Sequence, residues 1–184
     1  MTVVLGPVGP VDRVGLEVVD VVSAEEMRNA VLTRLDQADV LVATAAVSDW
    51  KPAERAKQKR KKTDGAADGP LPLVRTPDVL ALASEQTRSL PKRPLLVGFA
   101  AETENLIENA TAKLLRKGLD LVVANDVSRP DAGFATDTNT VVVVDRTGGR
   151  VELSGSKDLV AAGIWDRIAA LGFSADATGA RSKG

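Results

Sequence analysis

Asp49 ends an apolar run in the stretch AAVSDWKPAERAKQKRKKTDG (45–65), and seven cations follow within twelve residues: Lys51, Arg55, Lys57, Lys59, Arg60, Lys61 and Lys62. A carboxylate placed there can accept from a base or a sugar, or help to hold Mg²⁺. The small residues around it, Ala45, Ala46 and Ser48, would let a ligand approach the backbone. The plain alternative is an Asp that opens a turn. The cations admit three readings: a solvated loop, a nucleic-acid patch, or a lid that closes over phosphates. Nucleic-acid binding would want stacking partners, and only Trp50 is near. On composition alone the solvated loop leads.

Two further groups could handle a nucleotide. Thr76, Pro77 and Asp78 open a helical pattern, and a helix N-terminus offers free N–H groups. Asp78 opposes phosphate there, so the choice lies between simple capping and contact with a base edge. Lys113 and Lys117 are four apart and share a helix face, where they could clamp a polyphosphate. The helix dipole would favour the same lysines as a solvated stripe, which by itself is the stronger reading.

Absences narrow the chemistry. The 184 residues contain no Cys, His or Tyr, which removes thiol nucleophiles, the usual general base and the usual zinc ligands. Charge is balanced at 24 Lys plus Arg against 25 Asp plus Glu, which argues against a protein built to coat nucleic acid. No apolar stretch is long enough to span a bilayer, and MTVVLGPVGP lacks the form of a signal peptide, so a cytoplasmic protein is expected. No strand is followed by G-x-G-x-x-G, and there is no P-loop.

The elements that must position these residues follow from periodicity. TVVL (2–5) and LEVVDVV (16–22) read as strands. Ser23 and Glu26 have capping-box spacing and open a helix to about Leu35, with Met27, Val31 and Leu35 on one face. DVLVATAAV (39–47) is a continuous apolar strand of the kind buried on both faces of a parallel sheet. After the cationic loop, PLPLVR (70–75) is extended and TPDVLALASEQ (76–86) is helical, with Thr76 as N-cap and Pro77 at the first helical position. PLLVGFA (94–100) and LDLVVAND (119–126) are strands flanking the helix ETENLIENATAKLLRKG (102–118), which Gly118 stops. NTVVVVDRTGGRVEL (139–153) reads as a hairpin, and SKDLVAAGIWDRIAAL (156–171) as the closing helix. One domain over 1–172 with a flexible tail at 173–184 is expected. The alternation means an α/β open, mostly parallel sheet with helices on both faces, whose ligands bind beyond the strand ends AAVSD, GFAAET and ANDVS.

Taken together, ATAAVSDW, Lys59 within KRKK, TPDVL, GFAAET, AKLLRKGLDLVVANDVS and GFATDTN resemble phosphopantothenate–cysteine ligase of the bacterial, CTP-dependent type, from about Thr2 to Ala170. The resemblance implies a Rossmann-like three-layer fold with a C-terminal β-hairpin. It also implies a reaction in which the carboxylate of 4′-phosphopantothenate attacks CTP and cysteine then takes the acyl group, with Mg²⁺ and no flavin. It places CTP against Ala43, Thr44, Ala45, Asp49, Pro77, Asp78, Val79, Leu80, Phe99, Lys113 and Lys117. Lys59 matches the catalytic lysine of a mobile lid, and Ala46 lies near phosphopantothenate. A homodimer is implied, with the 139–153 hairpin as a contact, and neither nucleic acid nor membrane is a partner. The family starts with a further strand and phosphate-binding turn that do not precede MTVVLGP, so the chain is expected to match the ligase without roughly its first forty residues. The rival expectations are a fragment that only binds nucleotide and a nucleic-acid-binding module built on the lysine loop.

Overall fold

The computed structural model describes residues 1–54, 70–127 and 137–172, and the lysine run, GFAT and the 173–184 tail lie outside them. Its centre is a five-stranded sheet. The strands in chain order are β1 (Thr2–Leu5), β2 (Glu17–Asp20), β3 (Val40–Ala43), β4 (Trp50–Pro52), β5 (Leu73–Arg75), β6 (Leu95–Glu102), β7 (Leu121–Asp126), β8 (Thr138–Asp145) and β9 (Arg150–Ser156). The helices are α1 (Ala24–Leu32), α2 (Val79–Thr87), α3 (Leu106–Lys117) and α4 (Lys157–Ala170).

The central sheet has the order β3-β6-β7-β8-β9. β3, β6 and β7 are parallel, and the β8–β9 hairpin adds two antiparallel strands. β1 and β2 form a separate parallel pair, and β4 and β5 a small antiparallel ribbon. This is the α/β architecture that the strand–helix alternation predicts and the Rossmann-like fold that the resemblance implies, except that β1 and β2 stand apart from the central sheet.

Alternation along β7 builds a core on each side of the sheet. Val122 and Ala124 join Leu96, Ala110 and Leu114 under α3, while Leu121 and Val123 join Val97, Val160, Ile164 and Ile168 under α4. Leu96, Leu121, Val122 and Val123 are fully buried, each worth about 1.5–3 kcal/mol relative to exposure. Gly118 closes α3 in the left-handed region at φ 61°, where a Cβ would be disfavoured. Two buried carboxylates, Asp120 and Asp145, tie loops to this frame. Asp120 accepts from the Leu96 amide at 2.8 Å and from Arg93 and Arg146 at 2.8 and 2.7 Å.

Several boundaries move from their sequence expectation. The first helix stops at Leu32, and Leu35 belongs to a short 3-10 helix. α2 starts at Val79 with Asp78, not Thr76, as its N-cap. The Asp78 carboxylate accepts from the Ala81 amide at 3.1 Å, so the residue placed inside the first turn is the cap itself. β3 ends at Ala43, and its residues are half-exposed, not buried, because β3 is an edge of the central sheet.

Candidate active site

The carboxyl end of β3 lies beside the middle of β6, with Ala43 opposite Gly98, so Phe99 lies one residue past the point where β3 gives way to coil. Gly98 gives room there. A Cβ would stand 2.8 Å from Leu119 Cδ1 and 3.0 Å from Leu80 Cδ2, so its absence lets α2 settle against the sheet. Thr44, Ala45, Ala46, Ser48 and Asp49 follow β3 as an exposed segment.

The β4–β5 ribbon carries that segment back to the start of α2. The Thr76 amide donates to the Asp49 carbonyl at 3.0 Å, and the Thr76 hydroxyl donates to the Ser48 carbonyl. Ser48 Oγ also donates to the Trp50 carbonyl at 2.8 Å. The Arg75 guanidinium stacks 4.8 Å from the centre of the Trp50 ring, which joins the two strands of the ribbon. Asp49 is thus anchored through its backbone, while its carboxylate stays exposed without a hydrogen bond among the described residues.

At the start of α2, Pro77 has no N–H and the Ala81 amide is taken by Asp78. The amides of Val79 and Leu80 have no acceptor among the described residues and are the free donors of this helix end. The Leu80 side chain itself is buried in the core, so Leu80 can meet a ligand only through its backbone.

α3 brings the two lysines to the same corner. Lys117 Nζ lies 3.0 and 2.9 Å from the two carboxylate oxygens of Asp78. Lys113 Nζ donates to the Phe99 carbonyl at 2.5 Å. Burial, then repulsion from Lys117 and Arg116, push the Lys113 ammonium below the ordinary lysine range against the opposing charges of Glu102 and Asp78. Burial pushes the Asp78 carboxyl up, but the Lys117 hydrogen bond, the Ala81 amide and the charges of Lys117 and Lys113 outweigh it and hold Asp78 low.

Two contacts join residues singled out in the sequence, Phe99 with Lys113 and Asp78 with Lys117, the two lysines coming from α3, while Ala43 lies opposite Gly98 and the Asp49 carbonyl accepts from the Thr76 amide. Lys59 lies outside the described residues. The Phe99 ring packs into the α4 side of the core, so its carbonyl faces Lys113 while its ring does not. Thr76, Ser48 and Gly98 help to build the corner, and sequence reasoning did not assign them these parts. Asn125, at the end of the β7 segment ANDVS, has a buried Oδ1 with no hydrogen-bond partner. Among the described residues no group of three or more acidic, Cys or His side chains could cage a metal. A magnesium ion held largely by phosphates needs only one or two carboxylates, and Asp49 is an exposed one at this corner.

Comparison with known proteins locates the arrangement. The family described as the DNA/pantothenate metabolism flavoprotein C-terminal domain matches residues 1–171. The coenzyme A biosynthesis bifunctional protein CoaBC of Vibrio vulnificus is 37% identical over 171 residues, covering 93% of this chain and 42% of that protein. CoaBC of Bacillus subtilis is 44% identical over 149 residues, covering 80% of this chain and 35% of the relative. The crystal structure of the C-terminal domain of CoaBC superposes with a TM-score of 0.71 at 32% identity, covering 91% of this chain and 71% of that one. The chain spans less than half the length of these curated relatives.

Proposed function

The chain belongs to the DNA/pantothenate metabolism flavoprotein C-terminal domain family, and from that premise we propose that it is a phosphopantothenate–cysteine ligase domain using CTP and Mg²⁺. The observation that supports this best is the junction of two lysines, two free helix-terminal amides and an exposed strand-end carboxylate at the corner of β3, β6 and α2.

In this reading a carboxylate oxygen of 4′-phosphopantothenate attacks the α-phosphorus of CTP. The bond from that phosphorus to the β-phosphate bridging oxygen breaks, and pyrophosphate leaves. The cysteine amine then attacks the acyl carbon of the acyl-cytidylate, the carbon–oxygen bond breaks, CMP departs and the amine loses its proton. The chain supplies alignment and charge, which is most of what such a displacement needs.

Lys113 and Lys117 neutralise the polyphosphate. Val79 and Leu80 present backbone donors to the cytosine edge, with Pro77 and Asp78 shaping that turn. Phe99 contributes its carbonyl neighbourhood, and Ala43, Thr44 and Ala45 let the nucleotide lie close to the backbone. Asp49 holds the ribose or the magnesium ion. Ala46 borders the phosphopantothenate carboxylate, and Lys59 reaches the reacting phosphate from the cationic loop. Mg²⁺ supplies Lewis-acid polarisation of the phosphates. β9 has an open outer edge, which suits pairing with a second copy. We place the domain in the cytoplasm, with no helix among the described residues long and apolar enough to cross a membrane.

The test is pyrophosphate release by the 184-residue chain with CTP, Mg²⁺ and phosphopantothenate, with and without cysteine. Release that rises with cysteine is expected. CTP binding without release would reduce the proposal to nucleotide binding. Tight, steeply salt-dependent binding of generic DNA without CTP selectivity would replace it.

A further inference from the structure

Two parts of the candidate site come from segments well separated in the chain. Asp49 belongs to the coil after β3, and the free amides of Val79 and Leu80 belong to the start of α2. One ligand can use both only if the distance between them is fixed.

Little holds the Asp49 part in place. Ala43 is the last residue of β3 paired with β6, and Thr44, Ala45, Ala46, Ser48 and Asp49 are exposed. The Ser48 hydroxyl bonds only to the backbone of nearby Trp50. Among the described residues, Thr76 is the one distant hydrogen-bond partner of the segment 44–49.

Thr76 makes that connection twice, on consecutive carbonyls. Its amide donates to Asp49 at 3.0 Å, one rung beyond the pairing of Trp50 with Arg75, and its hydroxyl donates to Ser48. A rung at the end of a two-stranded ribbon is weak by itself, because such ribbons are only marginally stable. The side-chain bond removes the freedom that the rung leaves. Capping does not account for this hydroxyl, since Asp78 caps α2.

On its other side Thr76 leads into a stiff run. A residue before proline is held in extended backbone, and Pro77 has its own φ fixed. Asp78 is tied to the Ala81 amide, and Val79 follows it directly. No loose joint lies between the clamp on 48–49 and the free amides.

We infer that the Thr76 hydroxyl is the positioning group that couples these two parts. It holds the Asp49 backbone at a fixed offset from the Val79 and Leu80 amides. The site thereby favours a pyrimidine nucleoside triphosphate that spans both over an anion that meets the lysines alone. Once one part of such a ligand is bound, a rigid link presents the second contact at high effective concentration. A loosened link adds an ordering cost to binding. Thr76 acts through Ser48 and Asp49 without touching the nucleotide, and the inference rests on the ligase reading for what occupies the corner.

The test is calorimetric titration of the 184-residue protein with two probes. One is CTP with Mg²⁺; the other is inorganic tripolyphosphate without metal, which offers Lys113 and Lys117 phosphates but no base or ribose. Thr76→Val keeps the branched shape and the amide and loses the hydroxyl. CTP affinity should fall about three- to tenfold, the worth of one hydrogen bond, with tripolyphosphate affinity unchanged. Thr76→Ser should restore CTP binding, and Thr76→Ala repeats the loss should valine crowd the corner. Equal losses for both probes would make Thr76 a general support of the fold and overturn the inference. Unchanged CTP affinity, or a serine variant as weak as valine, would overturn it while leaving the ligase reading intact. An unaltered protein that binds neither probe would remove that reading, and the inference with it.

Discussion

Asp78 caps α2 and at the same time holds Lys117 of α3, its carboxylate oxygens 3.0 and 2.9 Å from Nζ. One side chain therefore sets both the helix end with free amides and the position of the lysine proposed to meet phosphate. The two roles separate by substitution. Asn caps as well as Asp but does not attract an ammonium, so Asp78→Asn should leave stability nearly unchanged while altering CTP affinity. Asp78→Ala should cost about 1 kcal/mol as well. Urea unfolding and CTP titration calorimetry on both variants check this; equal unfolding losses would contradict the separation.

Lys113 titrates below an ordinary lysine, chiefly through burial and then through Lys117 and Arg116. Because the folded value is the lower one, the unfolded chain holds more protons in the alkaline window between the two values, and this residue's contribution to stability rises with pH there. Phosphate binding goes the other way: CTP affinity should start to fall at a lower pH than an exposed lysine would give. Lys113→Arg, whose guanidinium stays charged, should flatten that fall. Titrations from neutral pH to about pH 10 decide it, and identical profiles for the two proteins would remove Lys113 from the phosphate site.

Gly98 lets Leu80 and Leu119 meet the sheet without a Cβ between them. Gly98→Ala should cost about 1 kcal/mol, the low end for overpacking, since the obstructing atoms are side-chain ends that can shift. The shift would propagate to Leu80 and hence to the amides at the start of α2, so CTP affinity should fall with stability. Thermal unfolding with and without CTP separates the effects; a loss of stability with unchanged affinity would show that α2 does not follow Leu80.

The hairpin turn hangs on Asp145, whose buried carboxylate accepts from the Thr147 and Gly149 amides at 2.8 and 3.0 Å and pairs with Arg167 of α4. Burial raises its pKa, but the Thr147 hydroxyl, the two amides and Arg167 outweigh that and hold it low. The stabilisation is present above the ordinary carboxylate pKa and lost as pH falls through the depressed folded value. Asp145→Asn leaves the partly exposed Arg167 without its charge partner and should cost about 1.5–3 kcal/mol, the worth of a hydrogen bond to a charged group. Denaturant midpoints against pH should show this loss near neutrality and a gap that narrows in acid; a constant gap would argue against the ion pair.

Much of the candidate site was legible in local sequence. Lysines four apart on an amphipathic helix must share a face, and residues following an apolar strand must emerge at its carboxyl end. The Gly118 stop and the hairpin at RTGG follow from backbone preferences that a few residues express alone. Local rules erred at the start of α2, where Thr76, Pro77 and Asp78 form a plausible cap in two registers. The choice fell to Asp78 because its carboxylate reaches the Ala81 amide, while Thr76 is held by Ser48 and Asp49 from a distant segment.

What the sequence determined by itself was the order of the main strands and helices (the short β4 at Trp50–Pro52 excepted), the residue types available for chemistry and the family. These depend on periodicity and composition, which act over a few turns or a few strand residues. Tertiary structure alone decided that Lys113 spends its hydrogen bond on the Phe99 carbonyl, that Leu80 turns into the core, and that the apolar β3 stands at an open edge. Those outcomes depend on which distant segments become neighbours, and burial and hydrogen-bond direction are properties of neighbours, not of the residue.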